Sequence, residues 1–173
     1  MSGMTIAYRD ALPADGPELD AMARKIWLET FEHSAPPHNI AAYLAKAYGP
    51  EGPLIRELGD PDKRTYIAVD DGRIVGYTKL VPPWLADAEP GAMQLSQIYV
   101  ASSHHGHGIA QALMDWTLTT ARAAGATALL LTVWENNHRA KRFYEKLGFV
   151  HIGDYGFPVG DQIDTDHIMR LAL

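Results

Sequence analysis

Residues 98–114 read IYVASSHHGHGIAQALM, and they lead from a predicted strand into a predicted helix. Three histidines and two glycines fill residues 104–108, and a helical apolar spacing then runs from Ile109 through Leu113 to Trp116. Glycine lets main-chain N–H groups approach a ligand closely, and the positive end of a helix favours an anion. The stretch therefore predicts an anion cradle, such as one for a pyrophosphate, at a strand-to-helix junction.

The sequence on both sides of this junction alternates between strand and helix patterns. Asp71 and Gly72 favour a tight hairpin turn within residues 64–81, and the continuous apolar run at 127–134 is typical of a strand buried on both faces. The order βααβββαβαββ predicts an α/β (α+β) fold, a mixed sheet with helices on both faces. Strands are predicted at 4–10, on both sides of the hairpin turn, at 92–100, at 127–134 and twice after Phe149, and helices at 15–31, at 38–48, from Gly108 to Gly125 and within 136–149.

Individual residues predict where three of these helices begin or end. Asp15 and Glu18 have the spacing of a capping box at the start of the first helix. Asn137 is placed to cap the last helix. Gly125 and Gly148 are placed to end their helices, Gly125 in a left-handed conformation.

Composition narrows the classes of protein that fit. A chain of 173 residues with 47% hydrophobic residues predicts one globular domain over 1–173, and a net charge of −6 argues against a nucleic-acid partner. The absence of cysteine excludes disulfides and thiolate chemistry. No apolar run reaches the roughly 20 residues that cross a bilayer, and the start lacks a secretory signal. We therefore expect a cytoplasmic protein with no membrane partner.

The crowded histidines allow other interpretations of the junction. His104, His105 and His107 have no neighbouring carboxylate to complete a metal site, so no metal is predicted and solvated loop histidines are the simpler interpretation. A dinucleotide fingerprint would need glycine at Gln111. The glycines alone also suit a turn without a ligand.

Two motifs make the chain resemble the GNAT superfamily of acetyl-CoA-dependent N-acetyltransferases. His105, Gly108 and Ala110 occupy the specified places of the motif Q/R-x-x-G-x-G/A, with histidine in place of glutamine or arginine. The pattern N-x-x-A-x-x-x-Y, followed by Gly-Phe, comes about 25 residues later. It is carried by Asn137, Ala140, Tyr144, Gly148 and Phe149.

The resemblance implies a mostly antiparallel sheet whose two central parallel strands, at 93–100 and 128–134, splay apart around acetyl-CoA as cosubstrate. It also implies that the backbone N–H groups from His105 to Ala110 hold the pyrophosphate, so that His105 acts through its amide more than its ring. The cofactor-binding residues implied are Ile98, Tyr99, Val100, His105, Gly106, His107, Gly108, Ile109, Ala110, Asn137, Ala140 and Tyr144.

Catalytic roles follow from the same resemblance. The N–H of Ile98 would polarise the thioester carbonyl, and Tyr144 would act as general acid, although a tyrosine at this helical spacing is also typical of plain core. Some family members carry a glutamate as base where this chain has Gln94, which cannot accept a proton at neutral pH. Glu29 and His33 are the candidate bases, with a water chain as the alternative.

The acceptor predicted is a small-molecule amine. The segments IWLETF and GYTKL resemble bacterial polyamine acetyltransferases, and the acidic balance suits a polycation. An aminoglycoside, an amino acid and a protein N-terminus stay open, as does a homodimer. The alternative function is a non-catalytic acyl-CoA sensor on the same fold.

Overall fold

The computed structural model describes residues 5–173, which form one seven-stranded sheet, five α-helices and two short 3-10 helices. The strands are β1 (Ile6–Asp10), β2 (Arg64–Asp70), β3 (Arg73–Val81), β4 (Ala92–Val100), β5 (Ala128–Trp134), β6 (Val150–Val159) and β7 (Gln162–Ala172). The helices are α1 (Gly16–Phe31), α2 (Pro37–Ala47), α3 (Pro53–Arg56), α4 (Ile109–Ala123) and α5 (His138–Lys146). The predicted order is confirmed except for α3, which is a single turn and too short to show a helical period. The predicted first strand began at Met4, which lies outside the described residues.

The sheet order is β1-β2-β3-β4-β5-β7-β6, and β4–β5 is its one parallel pair within residues 5–173. The mixed, mostly antiparallel sheet is therefore confirmed. Asp71 and Gly72 form the β2–β3 turn with φ of 48° and 77°, as the hairpin prediction required.

Helices cover both faces of the sheet, as predicted. Neighbouring strand residues point to opposite faces, so Ile67 packs among the side chains of α1 and α2 while Ala68 packs against α4. On the α1 face, Leu19, Trp27 and Leu44 are among the buried residues. On the α4–α5 face, a core around Met114, Leu129 and Met169 joins α4 and α5 to the sheet. No helix within residues 5–173 is both long enough and apolar enough to cross a bilayer.

The two central parallel strands pair along only part of their length. Residues Ala92–Gln94 pair with Ala128–Leu130, and beyond these β4 runs on to Val100 and β5 to Trp134 without pairing with each other. The β3–β4 register shifts at this level, since Leu80 faces Leu95 whereas Lys79 faces Gln97, and a bulged strand bends away from its partner. The predicted splay is confirmed, and it opens a gap in the middle of the sheet.

The helix ends follow the predictions except at α1. Asn137 accepts a hydrogen bond from the Ala140 N–H at 3.3 Å, and Gly125 and Gly148 have φ of 85° and 100°. The predicted capping box of Asp15 and Glu18 is wrong. Asp15 instead binds Arg9 and accepts from the Leu12 N–H, and Glu18 accepts from the N–H of Ile74 on β3, so both carboxylates tie the helix start to the sheet.

Candidate active site

A cavity of about 710 Å³ occupies the gap between β4 and β5, and we call it the splay cavity. Its walls come from the parts of β4 and β5 that do not pair with each other, from α1, α2 and α5, from β6 and β7, and from the loop after β4. Nine of the predicted site residues line it: Glu29, Ile98, Tyr99, Val100, His105, Ala110, Asn137, Ala140 and Tyr144. Gly106, His107, Gly108 and Ile109 lie beside it in the junction, where the Ile109 side chain is buried in the core under α4.

The strand-to-helix junction presents a row of free amides. Gly106 and Gly108 have φ of 80° and 76°, a left-handed conformation that favours glycine, and a Cβ built on either would meet nothing within 4 Å. The N–H groups from Gly106 to Gln111 have no acceptor among the described residues. Together with the positive end of the 15-residue helix α4 they can receive an anion.

His105 is tied to its neighbours through both its amide and its ring. Its amide donates to the Ser102 carbonyl at 3.3 Å, so the row of free amides begins at Gly106 and not at His105. Its ring Nε2 donates to the Val100 carbonyl at 2.9 Å, which leaves Nδ1 to accept from Arg139. The ring therefore ties the junction to α5, and Arg139 brings a positive charge to this end of the cavity.

The three junction histidines do not converge on one point. His104 donates from Nε2 to Asp70 at 2.7 Å, on the side of β2, whereas His105 turns to Val100. Within residues 5–173 the one group of three nearby metal-ligating side chains is His151, Asp154 and His167. This group lies on the β6–β7 hairpin and does not line the splay cavity.

The Ile98 amide faces the gap. The N–H of Ala101 donates to Val75 on β3 at 2.8 Å, and N–H groups of successive strand residues alternate in direction. The Tyr99 N–H therefore also points to β3, whereas the Ile98 N–H points away from it, toward the separated β5. The amide is available to a carbonyl oxygen held between the strands.

Tyr144 lies on α5 with its ring against Phe149 and its side chain on the cavity wall. The residue is buried, and burial raises the pKa of its phenol well above the usual value. The hydroxyl therefore keeps its proton at neutral pH, which is the state that a proton donor needs. Tyr144 therefore packs in the core with its ring and also borders the cavity, where a general acid would have to lie.

The structure places the two candidate bases and Gln94 in different environments. Glu29 is exposed at the mouth of the splay cavity. His33 does not line the cavity: its side chain is 93% exposed, lies beyond the end of α1 and contacts Glu32 at 3.2 Å. Gln94 is fully buried outside the cavity and accepts from the Trp84 N–H at 3.2 Å, so it fastens the β3–β4 loop.

An aromatic wall at the α1 end of the cavity was not predicted. Neighbouring rings of this wall contact each other. Their centroid distances are 5.0 Å for Trp27–Phe31, 4.4 Å for Trp27–Tyr43 and 5.2 Å for Phe31–Trp134. The aromatic wall comprises Trp27, Phe31, Tyr43, Trp134 and Phe157. Trp27, Phe31 and Tyr43 have a spacing on α1 and α2 that is typical of core residues, so no sequence pattern indicates that they border a cavity.

Two carboxylates on β7, Asp164 and Asp166, also line this end and were missed. Asp166 is 7% exposed, and burial raises the pKa of its carboxyl to about 7. Asp164 accepts a hydrogen bond from Gln162 at 2.7 Å. Their alternate positions in QIDTDHIM were the available signal, since residues two apart share one face of a strand.

The chain is similar in sequence and in structure to known N-acetyltransferases. The sequence model of a family described as "Acetyltransferase (GNAT) family" matches residues 19–149. An uncharacterized N-acetyltransferase of Mycobacterium tuberculosis is 35% identical over 159 residues, which is 92% of this chain and 98% of that protein. One of Lactobacillus delbrueckii is 30% identical over 161 residues, 92% of each chain. The crystal structure of the PaiA N-acetyltransferase from Thermoplasma acidophilum in complex with coenzyme A superposes with a TM-score of 0.81 at 20% identity, covering 98% of this chain and 100% of that one.

Proposed function

This chain belongs to the GNAT family of N-acetyltransferases, and on that premise we propose that it transfers the acetyl group of acetyl-CoA to the primary amine of a small, cationic molecule. One observation carries the proposal. The splay of β4 and β5 after Gln94 and Leu130 opens a cavity that joins a row of free amides to a buried phenol.

The residues at the junction suit the diphosphate of acetyl-CoA. The free amides from Gly106 to Gln111, the start of α4 and the Arg139 guanidinium all favour negative charge. We propose that Val100, Asn137 and Ala140 border the pantetheine arm in the gap, since all three line the cavity between the strands.

The chemistry proposed for the gap uses one donor and one acid. The Ile98 N–H would donate to the thioester oxygen, where negative charge develops during attack by the amine. Tyr144 would give its proton to the departing sulfur, since its phenol is protonated at neutral pH. Direct attack in a ternary complex fits a chain without cysteine, since no acyl-cysteine is available.

The far end of the cavity supports a cationic acceptor. The aromatic wall offers faces for cation–π contact, and Glu29, Asp164 and Asp166 add carboxylates to the same end. The positive group Arg139 lies at the opposite end. A polyamine fits this polarity, and an aminoglycoside is the next acceptor to consider.

The test is a panel of amines assayed for free thiol release from acetyl-CoA. The panel contains spermidine, an aminoglycoside, free amino acids and a peptide with a free N-terminus. We expect acetyl-CoA to raise the melting temperature by mass action, and one cationic amine to be turned over. Binding of acetyl-CoA without turnover of any amine would favour the acyl-CoA sensor, and a flat thermal response to acetyl-CoA would reject both functions.

A further inference from the structure

We propose that Asp166 is the general base of this site, and that it takes a proton from an acceptor bound as an ammonium against the aromatic wall. The inference rests on the proposed acetyl transfer. It supplies the group that Gln94 cannot provide and that the sequence did not reveal.

The position of Asp166 directs its carboxylate toward the acceptor end. Asp166 pairs across the sheet with Trp134 on β5, and directly opposed residues share one face. The Trp134 ring lies 5.2 Å from Phe31 of α1, so this face is the α1 face. Asp166 therefore lies beside the aromatic wall.

Tyr144 reaches the gap from the other side of the sheet. Its ring packs in the core with Leu131 and Val133, whose side chains alternate with that of Trp134 along β5. Acid and base thus approach the gap from opposite faces, and the Ile98 N–H points into it between them. This arrangement separates the group that loses a proton from the group that accepts one.

Asp166 has no cation to balance it. No Lys, Arg or His in residues 5–173 makes an ion pair or hydrogen bond with its carboxylate. The titratable groups around it are the phenols of Tyr43 on α2 and Tyr99 on β4, together with the carboxyls of Asp164 and Glu135, and Glu29 of α1 lines the same cavity. Buried charges are ordinarily paired, so a substrate ammonium would supply the missing partner.

The proton affinity of Asp166 suits the role. Burial, with smaller contributions from Asp164 and Glu135, raises its pKa to about 7, against hydrogen bonding from Thr132. A general base works best when its pKa lies near the working pH. Glu29 lacks this environment, since it is exposed at the cavity mouth, and Asp164 is already engaged by Gln162.

The reaction balances with these groups. Asp166 accepts one proton from the ammonium, and the freed amine nitrogen forms a bond to the acetyl carbon. The carbon–sulfur bond breaks, and Tyr144 protonates the sulfur. The nitrogen then loses its second proton, which restores the Tyr144 phenol, and Asp166 releases its proton to solvent. The amide, free coenzyme A and one proton are the products.

The experiment compares Asp166→Asn with Asp164→Asn, because both substitutions replace a carboxylate by an amide at the same end of the cavity. Using an amine that the panel identifies, kcat and kcat/KM are measured from pH 5.5 to 9, and acetyl-CoA affinity is measured by calorimetry. In the wild type, kcat/KM should rise with pH through about 7, because the base must be ionised. Asp166→Asn should lower kcat about 100-fold or more, and its kcat/KM should no longer rise with pH near 7. Its acetyl-CoA affinity should be retained within threefold. Asp164→Asn should raise the KM of the amine, and its kcat/KM should still rise with pH through about 7.

The outcomes separate the two proposals. Turnover of Asp166→Asn within threefold of wild type, or an unchanged rise of its kcat/KM near pH 7, overturns the role of Asp166 and leaves the acetyltransferase proposal standing. Wild-type protein that binds acetyl-CoA but acetylates no amine overturns both, because no reaction then exists for Asp166 to serve. Retained acetyl-CoA binding by Asp166→Asn shows that the variant is folded.

Discussion

Replacing Asp166 by asparagine should stabilise the protein, and the gain should grow with pH. A carboxyl whose pKa rises from 3.8 to about 7 on folding holds its proton more tightly in the folded chain. Its contribution to the free energy of unfolding is therefore largest at low pH, and it is lost as the pH rises between those two values. At about 1.4 kcal/mol per pKa unit, the penalty approaches about 4 kcal/mol above pH 7.

The measurable quantity is the change in the mutant-minus-wild-type difference between pH 5 and pH 8. At pH 5 the folded carboxyl is protonated and part of the penalty is already present, so the difference should grow by about 2.5 kcal/mol up to pH 8. For a domain of this size that corresponds to roughly 5–10 °C in melting temperature. Differential scanning calorimetry at matched ionic strength measures it, and groups common to both proteins cancel in the difference.

Asp164→Asn is the matched control, because Asp164 is only half-buried and is held by Gln162. Its melting-temperature difference from the wild type should change little between pH 5 and pH 8. A difference for Asp166→Asn that is also independent of pH would refute the reasoning. It would mean that water or an unrecognised partner already stabilises the ionised carboxylate.

Three further substitutions test separate parts of the site. Tyr144→Phe should lower kcat about 100-fold while the acetyl-CoA dissociation constant changes less than threefold, and unchanged turnover would remove Tyr144 from the chemistry. Gly108→Ala should cost about 1 kcal/mol of stability, since its φ of 76° strains any residue with a Cβ, and calorimetry should show weaker acetyl-CoA binding; full affinity would argue against the amide cradle. His33→Ala should leave turnover within twofold of wild type, because the side chain is 93% exposed beyond α1, and a large loss in the same assay would return His33 to the list of bases.

The sequence predicted the elements well because their signals are local. Helix α4 begins after Gly108 and ends before Gly125, and both glycines take the left-handed conformation that the pattern implied. A local pattern failed at Asp15, where the spacing of a capping box is present but Arg9 of β1, six residues earlier, binds the carboxylate with both guanidinium nitrogens. A guanidinium supplies a charge-assisted, bidentate pair that a backbone N–H cannot match.

The sequence predicted those features of the site that depend on main-chain conformation. It did not predict those that depend on the packing of distant elements. The free amides follow from glycines and a helix start, both visible in one segment. The aromatic wall draws Trp27 and Trp134 from elements more than 100 residues apart, and no local pattern indicates that such rings will border a cavity instead of filling a core. Asp166 is the same case, since its environment exists only once β7 lies beside β5.

The gap in the sheet links these separate features. Partial pairing of β4 with β5 frees the Ile98 amide and opens a passage through the sheet, so that Tyr144 on one face and Asp166 on the other can border the same cavity. If β4 and β5 paired along their whole length, Asp166 would be buried among apolar side chains with no ligand to bind. Burial of an unpaired carboxylate is strongly destabilising. The Asp166 carboxylate thus lowers the free energy of unfolding at neutral pH, at a position where an asparagine would fit without this cost. Such a cost is expected where a residue acts on a ligand, since perturbed pKa values concentrate at functional sites.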